Sequence, residues 1–334
     1  MALAAISIGG IARTFAPKRT TRGVRLIALD AVTVRVPAKV NLQLAVGAPR
    51  SDGFHDIATV FHAVSLYDDV TASVSGVDEI RVTVEGTQAA QVPADENNLA
   101  VRAARLLAEH AGVPPAVDLH LHKTIPVGGG MAGGSADAAG ALLACDALWG
   151  TGLSRSDMLE LAAKLGSDVP FGLVGGTAIG LGRGERLMPA LARGQFEWVL
   201  AFADGSLPTP RVYAECDRLR AGRVLPEPRV SDALMSALRA GNPEALGRAL
   251  RNDLQPAACS LRPSLRMALE VGTDYGALGG IVSGSGPTVA FLVRDHEHGL
   301  DLAVALTASG ACRSVKRAYG PVHGARTLEP GVAS

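Results

Sequence analysis

The 334 residues predict an α/β (α+β) protein of two domains, and three patterns carry that expectation. A β-like run, VDLHLH (Val117 to His122), feeds a glycine-dense loop that opens into an Ala/Leu-rich stretch with helical spacing. From Val32 onward, apolar residues alternate with polar ones. The last third, once inserted helices are set aside, reads βαββαβ, a split βαβ layer. With 48% hydrophobic residues the chain can bury a large core, and the two domains are expected over 31–192 and 193–328.

Composition narrows the function classes. Formal net charge is zero, so a nucleic-acid partner or an anionic membrane surface has no electrostatic support. No apolar run reaches the length of a bilayer span. Cys145, Cys216, Cys259 and Cys312 lie far apart without CxxC spacing, which argues against a zinc knuckle or a disulfide framework and for a reducing, cytoplasmic setting. Met1 to Leu29 holds five basic residues and no acid, its apolar part preceding its basic part, the reverse of a secretory signal. Residues 1–30 are expected to be an extension outside the fold, a transit-like leader or an early start codon being the other readings.

The first strand places Val32, Val34, Val36, Val40, Leu42, Leu44 and Val46 on one side and Thr33, Arg35, Lys39, Asn41 and Gln43 on the other, with an interruption expected at Pro37. Lys39 and Asn41 thus share a face, where solvation is the ordinary fate of such residues. GAPRSDGF is turn chemistry, and the runs FHDIATVFHAVSL, VTASVS and EIRVTVEG after it read as an antiparallel meander. Phe54 and His55, just past the turn, could hold a ring, or could be a buried aromatic and an incidental surface imidazole. ENN starts a helix that runs to Gly112, with Leu99, Leu106 and Leu107 on its apolar stripe. His120 and His122 fall on one strand face and, with no third ligand suitably spaced, are expected to face solvent.

The stretch KTIPVGGGMAGGSADAAGALLACDALW (Lys123 to Trp149) is the most informative. Glycines let backbone N–H groups approach an anion with no Cβ in the way, and the first turn of a helix adds unpaired donors and partial positive charge, so phosphate is the natural guest. Gly128-x-Gly130-x-x-Gly133 matches the dinucleotide fingerprint in letters only. A second helix, with Ser154 and Asp157 as its capping box and Gly166 as its stop, stands where a parallel strand should end in an acid. No lysine follows a glycine as a Walker A loop demands, and HRD and DFG are absent. A loop serving only tight helix packing is the other reading. Asp168, between Gly166 and Pro170, either caps the next short helix or is a functional acid.

At QFEWVLAFA the chain starts afresh with a strand (Trp198 to Ala203), a helix (Arg211 to Arg220), two more helices and a strand (Gly280 to Ser283). The turn SGSGPT, a strand (Thr288 to Val293), a helix (Leu300 to Thr307) and a strand (Arg313 to Ala318) follow. The turn is either a second anion-facing loop or an ordinary hairpin connection. AGRVLPEPRV (Ala221 to Val230) reads as a mobile link.

Five stretches, VPAKVNLQLAV, RSDGFHDI, IPVGGGMAGGSADAAG, GSDVPFGLVGG and IVSGSGPTVAFLV, resemble in order and separation the blocks of the GHMP small-molecule kinases, over about Val34 to Val293. The resemblance implies a two-domain GHMP kinase fold with a mixed-sheet, nucleotide-binding N-terminal domain, a ferredoxin-like C-terminal domain and an active site in the cleft between them. It implies ATP and Mg²⁺. The ATP-phosphate loop falls on Pro126, Val127, Gly128, Gly129, Gly130, Met131, Ala132, Gly133, Gly134, Ser135 and Ala136, with adenosine-side contacts at Asn98, Leu99 and Lys123 and with Ser135 as the Mg²⁺ ligand. Lys39 and Asp168 take the catalytic positions, and Asn41, Phe54, His55 and Thr209 (in SLPTP) the substrate side.

DGFH and SLPTP favour the branch that acts on a cytidine-diphosphate-linked methylerythritol in the non-mevalonate isoprenoid route over the homoserine and mevalonate types. A non-catalytic nucleotide- or sugar-binding regulator on the same fold is the remaining alternative. The protein is expected to act as a monomer or homodimer without nucleic acid or membrane. Phe54 stands where tyrosine is frequent, so its ring can stack but lacks a hydroxyl. Met131-Ala132 replaces a common Leu-Gly, and Ala136 a frequent serine.

Overall fold

The computed structural model describes residues 30–86 and 88–329, so the expected N-terminal extension up to Leu29 lies outside the described residues. The elements run β1 (Ala31–Pro49), β2 (His55–Val74), β3 (Ile80–Gly86), α1 (Leu99–Ala111), β4 (Val117–Lys123), α2 (Gly133–Trp149), α3 (Arg155–Leu165), α4 (Val169–Val174), β5 (Thr177–Gly182) and β6 (Arg186–Pro189). After these come β7 (Phe196–Phe202), α5 (Thr209–Arg220), α6 (Asp232–Ala240), α7 (Pro243–Ala249), β8 (Arg251–Asn252), α8 (Gln255–Leu261), α9 (Ser264–Asp274), β9 (Gly279–Val282), β10 (Thr288–Val293), α10 (His296–Ala308), β11 (Ser314–Gly320) and β12 (Arg326–Thr327).

The period-two pattern makes β1 and β2 a long antiparallel hairpin, paired from Ala31 with Ser73 to Pro49 with His55. Pro37 does not interrupt β1 as expected. A register shift between Pro37 and Ala38 accommodates the residue that has no N–H, and a second shift lies between Asn41 and Gln43. The expected meander is also corrected. VTASVS continues β2, and β3 pairs not with β2 but parallel to β4, which gives the order β12-β1-β2-β4-β3. Burial explains the order: Val117, Leu119 and Leu121 of β4 are fully or almost fully buried, whereas β3 is half exposed along its length and occupies the edge. The hairpin β5–β6, not anticipated, pairs with the other half of β2 from Ile57 to His62.

Helix α2 lies across this mixed sheet, and Gly140 permits the approach, since a Cβ there would meet Val70 Cγ2 at 2.7 Å. Helix ends follow local chemistry. Asn98 caps α1 by accepting from Ala100 N, Gly112 ends it in the left-handed conformation, and Ser154 caps α3 by accepting from Asp157 N. His122 is exposed and His120 partly so, and both pair with Glu85 on β3.

The second sheet has the order β11-β7-β10-β9, every neighbour antiparallel, with the βαββαβ connectivity expected. Four helices rather than two separate α5 from β9. Gly241 and Asn242 stop one helix and cap the next, and Arg262-Pro263 divides another pair. Residues 221–230 have no regular structure, yet Gln43 ties them to β1, donating to Arg229 O at 2.6 Å and accepting from Ser231 N at 2.8 Å. β8 runs parallel to β1 at Gln43 and Leu44, and β12 pairs with β1 at Val34 and Arg35, so the chain after β11 returns to the first sheet. Among the described residues no helix is long and apolar enough to cross a membrane.

Candidate active site

The glycine loop is fastened at its entry by a buried carboxylate. Asp68, fully buried on β2, accepts from Thr124 N at 2.5 Å and Ile125 N at 2.8 Å, and pairs with the Lys123 ammonium. Lys123 also donates to Asp137 Oδ2 at 2.6 Å. Burial and the neighbouring Asp68 push the Asp137 carboxyl up, against the pull of Lys123. Lys123 borders a notch of about 220 Å³ together with Asn98 and Leu99, where adenosine contacts were expected. Its ammonium is already committed to two carboxylates. The Asn98 side chain is committed too, to Ala100 N and Pro93 O, so Leu99 offers the notch an apolar edge.

Beyond Pro126 the loop turns sharply. Val127 N is held by Gln88 Oε1 at 2.9 Å, and Gly129 N reaches back to Pro126 O at 3.4 Å. Gly128 and Gly130 have φ of +63° and +77°, and a Cβ on Gly130 would collide with the Ser283 carbonyl oxygen. That close approach defines the role of SGSGPT, since Ser283 Oγ donates to Gly130 O at 3.1 Å and Thr288 N to Gly129 O at 3.2 Å. The two glycine-rich turns therefore support one another. Met131 is fully buried, Lys39 N donates to its carbonyl at 3.3 Å, and Ala132 takes the left-handed conformation at φ +61° before α2 begins. Gly133, Gly134 and Ser135 form the first turn of α2 and open onto a hollow of about 640 Å³; Ala136 next to them is buried.

Lys39 and Asp168 meet in this hollow, with Lys39 Nζ 3.6 Å from Asp168 Oδ2. Contrary to the solvation usual on a strand face, Lys39 is 5% and Asn41 2% exposed. Lys39 Nζ donates to Asn41 Oδ1 at 2.6 Å, Asn41 Nδ2 donates to Thr59 Oγ1 at 2.8 Å, and Thr59 Oγ1 donates to Gln43 O at 2.7 Å. This relay fixes the amide so that its oxygen faces the ammonium. Asp168 sits at the N-cap position of α4 but makes no cap hydrogen bond, so its carboxylate remains available to the hollow.

A second cavity of about 650 Å³ adjoins the first and shares Thr209, Tyr213 and Arg183 with it. Phe54, 51% exposed, has the Arg183 guanidinium 5.0 Å from its ring centroid. His55 is 9% exposed, lies 4.9 Å ring to ring from Tyr213, and bonds to Asp217 at 3.0 Å. Thr209 opens α5 with its hydroxyl 2.9 Å from Ser285 Oγ. Sequence reasoning missed Asp68, Arg183, Tyr213 and Asp217. A signal existed for two of them, because Thr209, Tyr213 and Asp217 recur every four residues and so share one helix face.

Among the described residues no group of three or more His, Cys, Asp or Glu is assembled for a metal ion. A Mg²⁺ that keeps its waters and binds mainly through phosphates needs only one or two protein oxygens, and the Ser135 hydroxyl and Asp168 carboxylate bordering one hollow fit that demand.

Comparison with known proteins agrees with this geometry. The GHMP kinases N terminal domain matches residues 98–176 and the GHMP kinases C terminal domain residues 234–312. The 4-diphosphocytidyl-2-C-methyl-D-erythritol kinase of Streptomyces avermitilis is 60% identical over 89% of this chain and 99% of its own length. That of Mycolicibacterium smegmatis is 54% identical over 92% and 96%. A crystal structure of 4-(cytidine 5'-diphospho)-2C-methyl-D-erythritol kinase, 34% identical, superposes with a TM-score of 0.70 over 86% of this chain and 98% of the other. A homoserine kinase from Cytophaga hutchinsonii shares the fold at a TM-score of 0.68 with 19% identity. Two facing glycine-rich turns, a buried lysine opposite a free carboxylate, and relatives this similar over nearly their whole length place the chain in the GHMP kinases, among the 4-diphosphocytidyl-2-C-methyl-D-erythritol kinases.

Proposed function

We propose that the protein transfers the terminal phosphoryl group of ATP to the C2 hydroxyl of 4-diphosphocytidyl-2-C-methyl-D-erythritol, in the cytoplasm, as a monomer or homodimer. One observation carries the reading. Lys39 and Asp168 stand 3.6 Å apart in the hollow lined by the glycine loop, which continues into the cavity of Phe54, His55 and Tyr213.

Phosphoryl transfer asks for alignment and charge neutralisation more than for covalent help. The amides of Gly128 to Ser135 and the start of α2 hold the ATP phosphates, with Asn98, Leu99 and Lys123 on the adenosine side. Ser135 would hold a Mg²⁺ together with the phosphates, and that ion would supply charge neutralisation on the polyphosphate. Asp168 orients the tertiary hydroxyl and accepts its proton. Lys39, kept in place by Asn41, faces Asp168 and stabilises charge on the moving group. Phe54, His55 and Thr209 hold the cytidylylated end.

Incubation with ATP, Mg²⁺ and the cytidylylated tetritol, followed by phosphorus NMR, tests the reading. A new phosphomonoester signal assigned to the C2 oxygen is expected. ADP release with homoserine or mevalonate but not with this acceptor, or ATP binding without transfer to any acceptor, overturns it.

A further inference from the structure

A further cavity, of about 810 Å³, shares no lining residue with the hollow of Lys39 or with the cavity of Phe54 and His55. It lies between β1, the C-terminal half of α5, residues 221–231, β8 and the start of α8. Its volume falls in the range of sites that take small organic molecules. Four arginines line it, Arg220, Arg223, Arg229 and Arg251, against two acids, Glu227 and Asp253, so the walls carry a formal excess of two positive charges. The acids are already shared out. Asp253 takes both Arg220, at 3.0 Å, and Arg251, at 3.3 Å, and also accepts from Val46 N, while Glu227 reaches only Arg229, at 3.6 Å. Arg223 forms no ion pair among the described residues. The frame around these side chains is held, since Arg220 Nη1 donates to Val46 O at 2.9 Å and Gln43 anchors both Arg229 O and Ser231 N. Val46, Leu219, Leu225 and Pro256 make part of the wall apolar.

We propose that this cavity is a second anion site, which takes a small organic phosphate carrying two negative charges, its phosphate on the arginines and its organic part on the apolar wall. A planar guanidinium can give two parallel hydrogen bonds to phosphate oxygens, and a dianion cancels the excess that the two acids leave. A carboxylate monoanion would cancel half of it, and an uncharged molecule would gain only the apolar wall. The site is independent of the acceptor proposed above, because none of its residues touches the place of transfer.

Methyl NMR of the leucine-labelled full chain, titrated with phenyl phosphate in the absence of Mg²⁺, tests the proposal. Leu219 and Leu225 report on this cavity, and Leu99 and Leu207 on the hollow of the glycine loop. Phenyl phosphate is expected to shift the Leu219 and Leu225 methyls saturably and at lower concentration than inorganic phosphate, while benzyl alcohol at the same concentration leaves them in place. In the double variant Arg223→Ser with Arg251→Ser the Kd rises by about tenfold or more, the scale of one lost charge-assisted hydrogen bond, while phosphoryl transfer and the dispersion of the leucine spectrum stay as in the wild type. Shifts confined to Leu99 and Leu207 would put the phosphate on the glycine loop alone, and shifts reproduced by chloride at equal ionic strength would mean screening without a site. Either result overturns the proposal, and neither needs a variant to fold. An unchanged Kd in the double variant overturns it as well.

Discussion

Lys39 lies where lysine is seldom found, 5% exposed, and the neighbouring groups explain how. Its ammonium has the Asn41 amide oxygen at 2.6 Å, the Asp168 carboxylate at 3.6 Å and the Phe61 ring centroid at 5.6 Å. Asp168 is different: its side chain is 31% exposed, it makes no cap bond, and its nearest charge is this ammonium. A carboxylate held this way can take a proton from an alcohol placed between it and the glycine loop. Asp168→Asn is therefore expected to lower kcat by about 10²- to 10⁴-fold, the usual worth of a positioned base. The Kd for ATP should move by less than about threefold, because the amides that hold phosphate remain in place. Steady-state kinetics at saturating acceptor, with nucleotide binding measured separately, decides the matter. Near-normal turnover would remove Asp168 from the role of base and leave positioning by Lys39 and the loop.

At the scale of elements, the strand–loop–helix unit from β4 through α2 could be read almost directly from the sequence, because its cues are local. The alternation of VDLHLH, the run of glycines and the Ala/Leu spacing each act within a few residues. The junction of loop and helix is less obvious. Ala132 sits at φ +61° and ψ 34°, a conformation that costs an L-residue about 1–2 kcal/mol and glycine almost nothing. Met131, buried beside it, and the bond from Lys39 N to Met131 O hold the backbone there despite that cost. Ala132→Gly is expected to stabilise the protein by about 1 kcal/mol, the relief of strain being partly offset by a more flexible unfolded chain. Urea denaturation measures it, and a lower midpoint in the variant would mean that the methyl group makes packing contacts worth more than the strain. What the sequence left hidden at this scale was set by distant partners. β3 reads as the next strand of a meander, but its half-polar face suits an edge, and the more apolar β4 takes the inner place. Lys39 and Asn41 read as solvated because Thr59, Asp168 and the Ser283 turn, which enclose them, lie far away in the chain.

In the whole molecule the two sheets meet along a seam that includes a buried histidine. His62 on β2 is fully buried, its Nδ1 is 2.9 Å from Thr177 Oγ1, and its ring lies 5.9 Å from those of Phe196 and Trp198 on β7 of the second sheet. Burial among these groups pushes its pKa down to about 3 from an ordinary value of 6.5. The consequence for stability has a definite sign. Above about pH 6.5 the ring is neutral in both folded and unfolded chains and adds no pH dependence. Below that the unfolded chain takes up a proton that the folded one refuses, so acid favours unfolding by about 1.4 kcal/mol for each pH unit until pH approaches the folded value. Asp137 works in the opposite sense: its raised folded pKa lets the native state bind a proton first, a contribution present at low pH and lost as pH rises. Total stability against pH therefore mixes the two, and only a comparison isolates the seam. His62→Gln, which keeps a polar atom near Thr177 but cannot titrate, should lose stability less steeply than the wild type between pH 6 and pH 4, by about 1.4 kcal/mol per pH unit. Urea denaturation across that range reads the difference in slope, which is insensitive to any constant cost of the substitution. Parallel slopes would mean that His62 is protonated in the folded protein as readily as in the unfolded one, and that the seam opens to water where His62 meets Phe196 and Trp198.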